Sequence, residues 1–223
     1  MPVLEVIDLK KSFISPDGER TQVVDVPRFE LLEGQQMALQ GSSGSGKTTF
    51  LNLIAGILQA DAGEVRIAGQ NLSALSESQR DQVRANSMGY VFQTFNLLQG
   101  YTALENVLLG MMFGPGPDRT RAKELLERVG LKDRMNHRPR QMSVGQQQRV
   151  AVARALANTP KLVLADEPTG NLDHRNAAEA LTLIREVCKD TGSALLLVSH
   201  DREVLAQFEN VADLVKINAA ARN

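Results

Sequence analysis

Nine consecutive residues constrain this chain more than any other stretch: Gly41-Ser42-Ser43-Gly44-Ser45-Gly46-Lys47-Thr48-Thr49. They fit G-x-x-x-x-G-K-[ST], a loop whose backbone N–H groups turn inward around phosphate oxygens. Glycine permits the tight backbone path. Lys47 brings positive charge to the β- and γ-phosphates, and the Thr48 hydroxyl can ligate Mg²⁺. The context agrees. Gln36–Gln40 reads as a short strand before the loop. Phe50, Leu51, Ile54, Ile57 and Leu58 behind it form a helical stripe, so a helix N-terminus faces the phosphates.

The rest of the 223-residue chain is ordinary in composition, with 43% hydrophobic and 23% charged residues and a net charge of −1. No polybasic run exists, which argues against nucleic acid as a partner. The single cysteine, Cys188, excludes an internal disulfide and falls on an apolar helical stripe, as a core residue would. No apolar run approaches the ~18–20 residues that span a bilayer, and the N-terminus lacks signal-peptide character. The expectation is a soluble cytoplasmic protein that reaches any membrane through a partner.

Along the chain, residues 3–9 and 22–31 read as strands, 61–64 as a turn, and Val65–Ile67 and Met88–Phe92 as strands. Ser76-x-x-Gln79, Thr102-x-x-Glu105 and Ser143-x-x-Gln146 are capping boxes that open helices. Leu162–Ala165 and Ala194–Val198 are continuous apolar runs, as in strands buried on both faces. A helix is expected at about 175–189, a short helix near 202–208 and a strand near 211–217. Strands alternating with helices argue for a parallel α/β sheet, interrupted by an all-helical insertion near 94–158.

Asp166-Glu167 follows the first buried run directly. Carboxylates at the carboxyl end of a parallel strand lie where open α/β sheets bind ligand. Asp166 can hold Mg²⁺ through water, and Glu167 can reach a water attacking the γ-phosphate. Gln93, after another strand, can ligate Mg²⁺ or orient that water. His200, after the second buried run, can donate to a γ-phosphate oxygen. Taken alone, Gln93 and His200 are also compatible with plain loop positions. Ser143 caps its own helix, yet Ser143, Gly145 and the helix N-terminus together also make an anion site. That site need not face its own nucleotide and could face one held by a second copy.

These residues, in this order, resemble the ATPase subunits of ABC transporters. The resemblance spans essentially the whole chain and rests on the phosphate loop, Gln93, Ser143–Arg149, Leu162–Glu167, Asn171-Leu172-Asp173 and His200. The wording Ala165–Asp173, with Phe92-Gln93-x-Phe95-Asn96-Leu97-Leu98 and Thr102–Val107, is similar to one branch. That branch serves lipoprotein release, macrolide and peptide export, and cell division. The resemblance implies a P-loop NTPase core with a parallel sheet, an N-terminal antiparallel β subdomain and a helical subdomain. It implies one ABC ATPase domain over 1–223, with a core lobe of 1–93 plus 159–223 and a helical lobe of 94–158.

It also implies a head-to-tail homodimer sandwiching two ATP, with Mg²⁺, at the inner face of the cell membrane beside an integral membrane permease. Ser143, Gly145 and Gln146 would then touch the γ-phosphate of the opposite copy, and Asp173 would lie in the loop joining the sites. Phe13 falls where the family stacks a ring on adenine; a core Phe at a strand end is the other reading. Phe95, Leu97, Leu98 and Tyr101 either dock the permease or pack the insertion. The signature departs from the family's usual Leu-Ser-Gly-Gly-Gln at Met142 and Val144. Val144 also leaves open a regulatory module that dimerises on ATP and hydrolyses slowly. Soluble ATPases of DNA repair or translation fit less well, since no coiled-coil insertion or second ATPase half is found.

Overall fold

The two apolar runs that read as doubly buried strands organise the molecule. The computed structural model describes residues 1–42 and 44–222. Two sheets form. Strands β1 (Pro2–Ile14), β2 (Arg20–Leu32), β4 (Ala62–Ile67) and β5 (Gln70–Asn71) make an antiparallel sheet in the order β2-β1-β4-β5. Strand β3 (Gln36–Gln40) joins β6 (Met88–Val91), β7 (Leu162–Asp166), β8 (Ala194–Ser199) and β9 (Asn210–Asp213) in a parallel sheet ordered β6-β7-β8-β3-β9.

Every residue of β7 and β8 is buried. Side chains alternate faces along a strand, and here the alternation feeds two separate cores. Val163, Ala165, Leu195 and Leu197 face a core shared with helices α3 (Ala103–Met111), α4 (Arg119–Arg128), α5 (Val144–Ala155) and α6 (His174–Thr191). Leu162, Leu164, Ala194, Leu196 and Val198 face the other, with the antiparallel sheet and α1 (Lys47–Ile54). Helices α2 (Glu77–Ser87), α7 (Arg202–Leu205) and α8 (Leu214–Ile217) complete the set. Cys188 lies fully buried in the helix-bearing core, and burial pushes its thiol up to about 12, so it acts as a small hydrophobe.

Local chemistry explains most boundaries. All three capping boxes form, at Ser76, Thr102 and Ser143. Gly192, at a φ of 69°, ends α6. Three expectations need correction. Ile57 does not continue the α1 stripe: the helix ends at Ile54, the chain turns through Gly56, and Ile57 is exposed. Residues 62–64 belong to β4 rather than to a turn. Asp8 and Leu9 of β1 oppose the single residue Gly63, a bulge, and a Cβ on Gly63 would meet the Asp8 carbonyl oxygen at 2.3 Å. The terminal strand stops at Asp213, because the Asp213 side chain accepts from Val215 N and caps α8 instead.

Candidate functional site

The phosphate loop leaves the carboxyl end of β3 and enters α1 through Gly46, whose φ is 89°. A Cβ at Gly46 would press the Val23 carbonyl oxygen at 3.0 Å. Ser45 Oγ donates to the Ser42 carbonyl at 2.8 Å and tightens the loop. Ser43, the remaining candidate in this stretch, lies outside the described residues. Lys47 is 7% exposed and donates Nζ to the carbonyls of Gly41 at 2.8 Å and Ser42 at 2.9 Å. Its third neighbour is Glu167 Oε1 at 3.1 Å.

Glu167 follows β7 in a left-handed conformation, with a φ of 43°. That geometry is uncommon for a residue other than glycine. Its backbone N–H donates to the Val198 carbonyl at 3.0 Å, and its Oε2 lies 2.8 Å from His200 Nδ1. The carboxylate thus sits between the loop lysine and an exposed imidazole. Burial pushes the neighbouring Asp166 carboxyl above its usual range, and the negative Glu167 adds to that. A hydrogen bond from the Thr48 hydroxyl and the charge of Lys47 pull the other way.

A cavity of about 420 Å³ opens here, lined by Val23, Gly44, Gly46, Lys47, Thr48, Thr49, Gln93, Glu167 and His200. A second, of about 340 Å³, shares Gln93, Glu167 and His200 and reaches Thr169, Gly170 and Asp173. Gln93 is seated by Gly170, where a Cβ would come within 3.2 Å of its Nε2, and by Asn171 Nδ2, which donates to its carbonyl at 2.8 Å.

The remaining candidates sit elsewhere. Ser143 Oγ accepts from Gln146 N at 3.3 Å, and Gln146 Oε1 accepts from Ser143 N at 3.1 Å. Neither they nor Gly145 line the two cavities. Val144 is 49% exposed at the first position of α5. Asp173 caps α6, accepting from Asn176 N and Nδ2, and these bonds hold its carboxyl below the usual range. Phe13 is 42% exposed with Lys11 Nζ 5.7 Å from its ring, so it is not a core residue. Leu97 is buried and Phe95 packs on the helix-bearing core, whereas Leu98 and Tyr101 are exposed.

One residue at the loop gave no local signal. Asn218, 1% exposed, donates Nδ2 to the Val23 carbonyl at 2.9 Å and to the Ser45 carbonyl at 3.4 Å, and accepts from Asp25 N at 2.7 Å. It pins the phosphate loop to β2.

A strand–glycine loop–helix cradle at the carboxyl edge of a parallel sheet defines a P-loop nucleotide-binding protein. Within that class, residues 24–170 match the family described as ABC transporter. The chain is 43% identical over 212 residues to the lipoprotein-releasing system ATP-binding protein LolD of Shewanella sp. (strain MR-7), covering 93% of this chain and 90% of that protein. Two solved structures superpose with a TM-score of 0.85 at 34% identity, covering 94% of this chain and 93% of theirs. One is a dimeric post-hydrolysis state of the ATP-binding cassette MJ0796 bound to ADP and Pi, the other a dimeric structure of MJ0796, a bacterial ABC transporter cassette. The chain belongs to the ABC transporter family, as an ATP-binding, ATP-hydrolysing subunit.

Proposed function

We propose that the chain binds ATP with Mg²⁺, closes around two ATP with a second copy of itself, and drives an integral membrane permease from the cytoplasmic face. The observation that carries this reading is the Lys47–Glu167–His200 array on the wall of the loop cavity. In the proposed roles, Gly41–Thr49 and Lys47 hold the phosphates. Glu167 accepts a proton from the attacking water, with Gln93 orienting that water and His200 donating to a γ-phosphate oxygen. Glu167 must first exchange Lys47 for the water, and the incoming γ-phosphate is the anion that can take Lys47 over.

The metal fits the donors present. Among the described residues, no three His, Cys, Asp or Glu form a cage. The Thr48 hydroxyl, the Gln93 amide and Asp166 instead offer a few hard oxygens, which suits Mg²⁺ shared with phosphates and water. When bound, it neutralises charge on the β- and γ-oxygens.

A lone cassette has Ser143, Gly145 and Gln146 outside its own cavity, which supports their pairing with the nucleotide of a second copy. No helix among the described residues is long and apolar enough to cross a membrane. For the permease, the exposed side chains of Leu98, Tyr101, Met112 and Phe113 offer apolar contact. Of these, Phe113 lines a cavity of about 480 Å³, together with Leu109, Tyr90 and Arg154. Arg154 also donates to the Phe95 and Asn96 carbonyls, so a segment seated there would touch the residue that braces the loop beginning at Gln93. The lobe division into 1–93 plus 159–223 and 94–158 is our proposal for the parts that shift as the dimer closes.

Replacing Glu167 by Gln tests the reading. The variant should bind ATP, accumulate as a nucleotide-bound dimer in size-exclusion chromatography, and lose at least about a hundredfold in turnover. Hydrolysis at the normal rate would remove Glu167 as the base.

A further inference from the structure

Glu167 holds a left-handed backbone, and non-glycine residues keep such geometry only where their surroundings over-determine it. Lys47 and His200 hold its carboxylate at the loop site, while its N–H donates to the Val198 carbonyl and its own carbonyl accepts from Gly170 N at 3.0 Å. A further restraint comes from α5. Gln148, in the second turn of α5 and fully buried, donates Nε2 to the carbonyl of Pro168 at 2.8 Å. Pro168 follows Glu167 directly, and its carbonyl lies in the Pro168–Thr169 peptide, so this bond fixes the chain one residue beyond the strained Glu167. The amide cannot be reversed, because Oε1 would then face the carbonyl oxygen. In the observed orientation Oε1 is buried without a partner among the described residues, a cost the side chain bears while making the bond.

A second contact lies one turn earlier. Gly145 packs against Asn176 so closely that a Cβ would lie 2.9 Å from Asn176 Oδ1. Asn176 in turn donates to Asp173. The N-terminal half of α5 therefore meets the 168–176 segment at both ends, by a hydrogen bond at Pro168 and by close packing at Asn176.

We infer that Gln148 is a positioning residue for Glu167, tying the helix that carries Ser143 to the carboxylate at the loop cavity of the same chain. The inference rests on the assignment of Glu167 as the base. In a closed dimer, α5 of one copy would sense the opposite nucleotide, and Gln148 would convey its seating to Glu167. The two ATP sites would then be coupled through one side-chain hydrogen bond in each copy.

The test compares Gln148→Met with Arg149→Met in the full-length protein. Methionine keeps the volume and removes both the donor and the orphaned acceptor. It leaves one buried acceptor, the Pro168 carbonyl, unpaired in place of another, so the melting temperature should hold. Arg149 is the control, since it ties α5 to the Val129 carbonyl and Glu179 and, among the described residues, makes no hydrogen bond or ion pair with the 167–173 segment. Gln148→Met should lower kcat about tenfold or more and leave KM for ATP within about twofold, while Arg149→Met leaves kcat within about twofold.

The inference is overturned if Gln148→Met turns over normally, if it fails to fold, or if both variants lose kcat equally. Glu167→Gln measured alongside separates the two levels. Normal hydrolysis by that variant sinks the base assignment. An inert Glu167→Gln beside a normal Gln148→Met sinks the positioning role alone.

Discussion

At the scale of single residues, what matters is which side chains carry a constraint the backbone cannot supply. Glu167 meets Lys47 and His200 from a backbone held at a positive φ just beyond the end of β7. Phe13 illustrates the opposite case, a side chain whose position costs nothing structurally. It is 42% exposed at the far end of β1, and removing it opens no core cavity. Phe13→Ala should therefore leave the melting temperature nearly unchanged. If the ring stacks on adenine, the variant loses about 1 kcal/mol of ATP affinity, about fivefold in Kd. Inorganic tripolyphosphate, which has no base, should bind both proteins equally in calorimetry. An equal loss for both ligands would place Phe13 in the phosphate site instead.

At the scale of elements, the capping boxes allow structure and activity to be separated. Thr102 and Ser143 cap α3 and α5 with the same reciprocal geometry. Thr102→Ala and Ser143→Ala should each cost about 1 kcal/mol of stability in denaturant titrations. Only Ser143→Ala should also lower ATPase activity, because only that cap is proposed to meet a phosphate. The hairpin of β1 and β2 is braced from the turn after α1. Asp61 accepts from Lys11 Nζ at 2.9 Å and Ser12 N at 2.8 Å. The Lys11 hydrogen bond, then that of Ser12, holds its carboxyl below the usual range. A folded pKa below the unfolded one gives stability that is full above about pH 4 and is lost as pH falls through the folded value. The gap in melting temperature between wild type and Asp61→Asn should be constant from about pH 5 to 8 and close under more acid conditions. Local patterns made the strands, caps and phosphate loop legible in the sequence. Contacts between distant segments were not. Gly63 reads as a turn residue until β1 supplies the bulge it faces. Gln146, Gln147 and Gln148 are identical in sequence, yet the first caps its helix, the second donates to the Met142 carbonyl, and the third crosses to Pro168. Asn218 reaches Val23 and Ser45 from the far end of the chain, and no local periodicity marks it.

At the scale of the whole molecule, one sheet serves two cores and so joins the phosphate loop to the helices that carry Ser143. Strand β7 places Leu162 and Leu164 in the core of α1, and Val163 and Ala165 in the core of α5. The same strand therefore packs against both cores. The monomer nonetheless keeps its parts apart, with Lys47, Glu167, Gln93 and His200 around one cavity and Ser143, Gly145 and Gln146 outside it. The proposed phosphate ligands lie around the cavity, and the α5 N-terminus, proposed to meet the phosphate of a second copy, lies outside it. Binding and hydrolysis should consequently respond differently to dilution. ATP affinity, set by the loop, should stay constant from micromolar to nanomolar protein. Turnover per chain, if it needs Ser143 of a second copy, should fall in proportion to protein concentration once the dimer dissociates. An equimolar mixture of Lys47→Ala and Ser143→Ala chains supplies the decisive version. Each mixed dimer then has one site with both defects and one site with neither, so ATPase activity should reappear that neither variant shows alone. Strictly linear activity on dilution together with no recovery in the mixture would mean that each chain hydrolyses ATP with its own residues.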